Sequence, residues 1–341
     1  MNKPEKVFWI FAFVTLFTMI ADRLLFVLFP SYLIEKNFSA VEIGAIFSFA
    51  ALLLILLRIA VGKLSDIYGR KVIMSFGLLI NSISILFYPI ISKLYEFAVV
   101  KGVQEISWTL KESVDDSIQA DSFPKKSRAN YLAKLGTIYP LGRAVSAIIG
   151  FLVLTYIPFI FGFYLAALCI FISFLIFSIF YKEELETKIK PIKTKFNPLM
   201  YSLNFNIIAF GGFIGSICFS IAYFPAFFIL TEKYLLIKVN DLFLMLLISY
   251  IISMIFVYFT GKRIDNFGRS RTLLFGFLFL AITVLAYAFV QDIIQFIIVL
   301  VLVSLSYYIW RIALKTIIMD YATPKMGGGT AWIHQNPSRH R

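Results

Sequence analysis

Asp22 and Arg23 stand side by side inside one long apolar run, Arg58 and Arg143 lie inside two others, and Lys101, Gln104 and Glu105 interrupt a fourth. An ionisable group in the middle of a bilayer costs roughly 2.5 to 3.5 kcal/mol on insertion scales, so it faces a partner or a polar cavity and is a functional candidate. Two chemistries are open to such groups. Opposite charges close in the helix neutralise each other, and a carboxylate at that depth can exchange protons near neutral pH. Asp22 and Arg23 admit both readings, mutual neutralisation inside a bundle or a coupling role. Glu105 does too, because Lys101 sits one turn away and can hold it as an ion pair. At 100° per residue, Lys101, Glu105, Trp108, Glu112, Asp115 and Gln119 fall within about an 80° stripe. A helix with that stripe does not lay it on lipid.

The elements that carry these groups are transmembrane helices. Of 341 residues, 60% are hydrophobic, 15% are charged and 38 are Phe, and several runs reach the roughly 20 apolar residues that cross a bilayer as a helix. Spans are expected at 7–29, 40–60, 72–91, 94–118, 129–152, 154–181, 202–230, 240–260, 272–290 and 293–318. Pro30 should stop the first, and Ser39 with Glu42 forms a capping-box pattern opening the second. Lys3 and Lys6 before an apolar run imitate a signal peptide, but Val7 to Phe29 continues without a small-residue cleavage site and reads as a retained span.

The formal charge of +13 comes mainly from Lys and Arg in alternate loops, with only Lys36, Lys93, Lys233 and Lys238 on the other side, which is the positive-inside pattern of a cytoplasmic amino terminus rather than a nucleic-acid footprint. Cys169 and Cys218 lie in apolar runs with no CxxC or His neighbour, so no disulfide frame, metal site or cofactor is expected. With no His-rich cluster and no Walker loop, an integral-membrane enzyme is excluded as a reading.

The polar turn "VGKLSDIYGRK" at 61–71 returns as "TGKRIDNFGRSR" at 260–271, with Gly62, Asp66, Gly69 and Arg70 recurring 199 positions later as Gly261, Asp265, Gly268 and Arg269. A repeat of that length, with the polar stretch "KEELETKIKPIKTKFNPL" between the halves, describes two parallel-repeat bundles. Glycines let backbones approach in a short reversal, while Arg70 and Lys71 stay at cytoplasmic headgroups. "GKLSDIYGRK" resembles the signature loop between helices two and three of the major facilitator superfamily, G-x-L-x-D-R-x-G-R-K, with Ile67 where the family usually has a base. "VVKGVQEISW" is similar to its fourth-helix R-x-x-Q-G motif, with Lys101 in the arginine place, Gln104 kept and Glu105 in place of glycine. "ADSFPKKSRA" resembles the loop that follows, through Asp121, Pro124 and Arg128. In the fifth span "GTIYPLGRA" departs from the G-x-x-x-G-P-x-x-G-G of drug/proton antiporters, because Tyr139 and Arg143 intrude between Gly136, Pro140 and Gly142; Pro140 is expected to kink the helix.

The resemblance implies an all-α polytopic fold of two pseudo-symmetric bundles, with helices one, four, seven and ten around a central cavity. The corresponding organisation is a six-helix bundle over 1–181, a cytoplasmic linker over 182–201, four helices over 202–318 and a polar tail over 319–341. The repeat offset sets Glu112 opposite Arg311 and Asp116 opposite Lys315 in the two halves. Those charges suit a cytoplasmic gate that closes by ion pairing, with snorkelling of Lys315 and Asp116 to the interface as the other reading. Asp320 and Pro324 match Asp121 and Pro124 of the first half, after which "KMGGGTAWIHQNPSRHR" turns polar. The last two family helices, expected at about 328–381 by the same offset, are therefore read as missing, and with them the partner of Asp66. The sequence reading is a secondary transporter in the cell membrane that exports a small organic solute by alternating access, coupled to protons and monomeric. The alternatives are a facilitator or importer of a nutrient or metabolite, or a truncated non-transporting remnant.

Overall fold

The computed structural model describes residues 3–123, 128–183, 210–216, 231, 235, 237–267 and 269–321. The side chains of Arg58, Asp66, Asp116, Asp265, Arg269 and Lys315, with Gly62 and Gly261, lie outside the described residues, as do Gly268, most of the linker, most of the seventh span and most of the tail.

Among the described residues the architecture is all helical. The elements are α1 (Lys3–Glu35), α2 (Ala40–Tyr68), α3 (Arg70–Phe87), α4 (Leu94–Ser122), α5 (Arg128–Tyr156), α6 (Ile160–Phe180), α7 (Val239–Phe267), α8 (Arg269–Ala286) and α9 (Ile293–Tyr321). Among the described residues, seven helices are long and apolar enough to cross a membrane. α4 falls short of that measure because Lys101, Glu105, Lys111, Glu112 and Asp115 break its apolar windows, and α2 contributes the shorter apolar stretch Ala40–Leu54.

The chain divides into two compact units, Met1–Lys188 with Leu236–Ile251 and Ile189–Leu235 with Ile252–Arg341. In the first, α1 packs against α5 and α6, α4 against α2 and α3, and α3 against α6. Lipid supplies no hydrophobic drive between helices, so close backbone approach and interhelical hydrogen bonds hold them. Gly77 of α3 shows the first: a Cβ there would lie 2.8 Å from Ser107 O and 2.9 Å from Leu110 Cβ of α4. The second is shown by Ser146 Oγ, which donates to Ile20 O at 2.9 Å and ties α5 to α1, and by Ser82 Oγ, which donates to Ala167 O at 2.9 Å and ties α3 to α6. In the other unit, Leu273, Leu280, Trp310 and Ala313 form a core between α8 and α9, where Thr283 and Ser306 share a buried hydroxyl–hydroxyl bond of 3.0 Å.

Helix punctuation agrees with expectation at α2. Ser39 Oγ accepts from Glu42 N, and Glu42 Oε2 accepts from Ser39 N at 2.8 Å, which completes the capping box. Pro30 does not stop α1, which continues to Glu35. Proline removes one backbone bond, but the turn beyond it is held by packing: Tyr32 is buried, stacked on Phe159 at 6.2 Å and edge-on to Phe163 at 5.3 Å.

Candidate functional site

The polar groups of the first unit collect on α4 and on the helix faces packed against it. Near the start of α4, Lys101 Nζ lies 2.8 Å from Glu105 Oε1 and donates to Gln104 Oε1 at 3.1 Å. Tyr88 Oη, at the end of α3, donates to the same Gln104 oxygen at 2.6 Å. Two aromatic faces complete the surroundings, with Lys101 Nζ 5.5 Å from the ring centroids of both Phe29 on α1 and Phe47 on α2. The i, i+4 spacing on one helix brings the charges together, and three neighbouring elements supply the rest.

About ten residues further along α4 lies a second, more deeply buried group. Lys111 Nζ and Asp115 Oδ2 are 2.8 Å apart, with side chains 3% and 6% exposed. Gln119 Nε2 donates to Asp115 Oδ1 at 2.8 Å, and the Lys111 ammonium sits 5.4 Å from the Trp108 ring. Both carboxylate oxygens of Asp115 are thus engaged, as a buried charge requires. Lys111 is the residue the stripe argument misses. It lies one 40° step beyond Asp115, outside the stripe, and the signal that finds it is its own i, i+4 spacing to that aspartate.

The remaining candidates divide by element. Asp22 and Arg23 form an adjacent ion pair of 2.9 Å, and the Arg23 guanidinium lies 5.1 Å from the Phe26 ring. Arg143 is buried on α5, beside Gly142, where a Cβ would lie 2.7 Å from Met19 Cβ of α1. On α4 the stripe is graded: Asp115 and Gln119 are buried, Lys101, Glu105 and Trp108 are half-buried and Glu112 is exposed. In the second unit Arg311 is exposed, donates to Tyr307 Oη one turn earlier and packs over that ring.

At the signature loop, Gly69 has φ +89°, a conformation that favours glycine, and links α2 to α3. It offers no side chain to cap α3, so the acceptor comes from elsewhere in the chain. Glu183, three residues past the end of α6, accepts from Arg70 N at 2.8 Å and from Lys71 N at 3.1 Å. A carboxylate on the first N–H groups of a helix satisfies orphan donors and the positive end of the dipole together. Among the described residues no group of three or more His, Cys, Asp or Glu converges as a metal site.

The first unit thus carries paired charges on one helix face, within a bundle of apolar helices that turns at a positive-φ glycine. The family profile of the Major Facilitator Superfamily matches residues 11–334. The chain belongs to the Major Facilitator Superfamily. It is therefore a multi-pass membrane protein, in keeping with its long apolar helices. It is 28% identical over 203 residues to an uncharacterized MFS-type transporter of Methanocaldococcus jannaschii, a match covering 58% of this chain and 53% of that protein. It is 26% identical over 157 residues to the class H tetracycline resistance protein of Pasteurella multocida, covering 44% of this chain and 38% of that one. The matched stretches span about half or less of these relatives' lengths. Among solved structures of the superfamily's fold, the human organic anion transporter MFSD10 superposes with a TM-score of 0.70 at 16% identity, over 93% of this chain and 86% of that one.

Proposed function

We propose that this superfamily member is a secondary active exporter of a small organic solute, driven by protons and working by alternating access. The observation that carries the reading is the charged face of α4, where Glu105 is half-buried and held by a lysine on the same helix. Opposite charges one turn apart on a helix face can part and take other partners, which is the elementary step of coupling. Export draws support from the likeness to a tetracycline resistance protein. Asp22, Arg23, Arg58 and Arg143 are assigned to the cavity with Lys101 and Gln104, and rocking of the two repeats moves the solute past them. Glu112 and Asp116 on α4, with Arg311 and Lys315 on α9, act as the cytoplasmic gate. The protein works as a monomer in the cell membrane, with a cytoplasmic amino terminus, a six-helix bundle over 1–181 and the second bundle from 202.

The Lys101–Glu105 pair also favours a second reading. If the pair never opens, the carboxylate carries no proton and the chain is a facilitator or importer. Proteoliposomes holding a trapped pH reporter and given tetracycline as the first solute separate the two. Coupled export predicts tetracycline movement against its gradient together with a proton signal, both lost in Glu105→Gln. Movement only down the solute gradient, with no proton signal, would establish the facilitator.

A further inference from the structure

The surroundings of Lys101 are those of an ammonium-recognition site. Its Nζ meets one carboxylate oxygen at 2.8 Å, one amide oxygen at 3.1 Å and two aromatic faces at 5.5 Å. Carboxylate, carbonyl oxygen and aromatic faces are the groups by which proteins hold alkylammonium ions. The amide is pinned in the accepting sense. A lysine ammonium can only donate, so the Gln104 atom facing it is the oxygen, and the Tyr88 hydroxyl at 2.6 Å holds that oxygen in place.

The exposure of the pair has a direction. The Glu105 side chain is 31% exposed and the Lys101 side chain 11%. The carboxylate is thus the more accessible member of the pair, and the ammonium is set back against the rings. The same order holds on α1, where Asp22 is 33% exposed and Arg23 is 17% exposed with its guanidinium over Phe26. Asp22 lies seven residues before Phe29, on nearly the same face of α1, about 10 Å further toward the amino-terminal end. Cations set back on aromatic rings with carboxylates in front attract a positively charged solute and repel an anion. Lys101 is flexible enough to leave, being a point charge on a four-carbon stem.

We propose that Glu105, Gln104, Phe29 and Phe47 form a binding site for an alkylammonium solute, that the Lys101 side chain is its resident occupant, and that the solute enters by displacing it. The proposal rests on the transporter reading and narrows it to amines that are cationic at neutral pH. A tethered competitor acts at an effective concentration of about 1 mM, so for a site that holds an ammonium with an intrinsic Kd of about 0.1 mM, removing it tightens binding of a free ammonium by about tenfold.

The test uses the full purified chain in detergent, with butylammonium as probe, butanol as its neutral analogue and butyrate as the anionic one, read by calorimetric titration and by the shift in thermal unfolding. Lys101→Met is expected to bind butylammonium about ten times more tightly than the native chain, with no response to butanol or butyrate, and Lys101→Met with Glu105→Gln is expected to lose that binding. Should Lys101→Met not fold, as judged by circular dichroism, the native chain and Glu105→Gln decide: the native chain is shifted by butylammonium and Glu105→Gln is not. Equal responses to butanol, unchanged affinity in a folded Lys101→Met, or binding retained without the Glu105 charge would each overturn the assignment. Ammonium binding with no flux in proteoliposomes would leave this site standing and remove the transport reading. Flux of other solutes, with no ammonium binding, would do the reverse.

Discussion

Removing one partner of the Lys111–Asp115 pair should be among the most damaging single changes in the first unit, and removing both should be mild. The two side chains are 3% and 6% exposed and 2.8 Å apart, and Asp115 also accepts from Gln119 at 2.8 Å. Deleting one member of such a pair leaves a bare charge in the interior, at a cost of about 3–5 kcal/mol. Lys111→Met removes the ammonium that pairs with Asp115 Oδ2, and Asp115→Asn removes the carboxylate that the Lys111 ammonium contacts. The double variant Lys111→Met with Asp115→Asn carries no charge and keeps an oxygen for Gln119, so it should fall within about 1 kcal/mol of the native chain. The expected coupling between the sites is thus about 5 kcal/mol or more, several thousandfold in the folding equilibrium. Thermal or denaturant unfolding in a fixed detergent, run on all four proteins as a double-mutant cycle, measures it. Additive effects, or single variants each within about 1 kcal/mol of the native chain, would refute the view that this pair is buried and mutually dependent.

Gly77→Ala would drive a methyl to 2.8 Å from Ser107 O and 2.9 Å from Leu110 Cβ; α3 and α4 must then part, and unfolding measurements should show a loss of about 1–3 kcal/mol, whereas no loss would mean that the helices are looser than described. Glu183→Ala removes the acceptor for Arg70 N and Lys71 N and should destabilise the chain by about 0.5–2 kcal/mol, with Glu183→Gln recovering part of it; indifference to both would show that the α3 amino terminus is capped otherwise. Glu112→Arg and Arg311→Glu should each reduce solute flux, and the double reversal should restore it in the same proteoliposome assay; a double variant as poor as the singles would end the gate proposal.

Local features were the ones legible in the sequence. Ser39 with Glu42, Lys101 with Glu105, and the stripe on α4 all depend on residues three or four apart on one helix, so spacing alone brings them together. Pro30 was misleading because the cost of its missing hydrogen bond is local, while the compensation, Tyr32 among Phe159 and Phe163, comes from residues more than a hundred positions away. Glu183 was missed for the same reason: its bonds to Arg70 and Lys71 join residues 113 and 112 apart, and nothing in the loop's own letters names its acceptor. Gly69 carried half of that signal, since a glycine before a helix leaves the first N–H groups without a side-chain cap. The aromatic faces of Phe29 and Phe47 around Lys101 were not legible either, because an apolar run of this composition offers a phenylalanine at almost every helical turn.

The most direct test of the account is gradient-driven flux by the purified chain in proteoliposomes, with an imposed proton gradient and a panel of cationic, neutral and anionic small solutes. The account predicts uphill movement of at least one cationic amine, accompanied by proton movement, abolished by a protonophore and by Glu105→Gln. Folded protein that moves no solute, or moves one at a rate indifferent to the proton gradient and to the Glu105 charge, would contradict it.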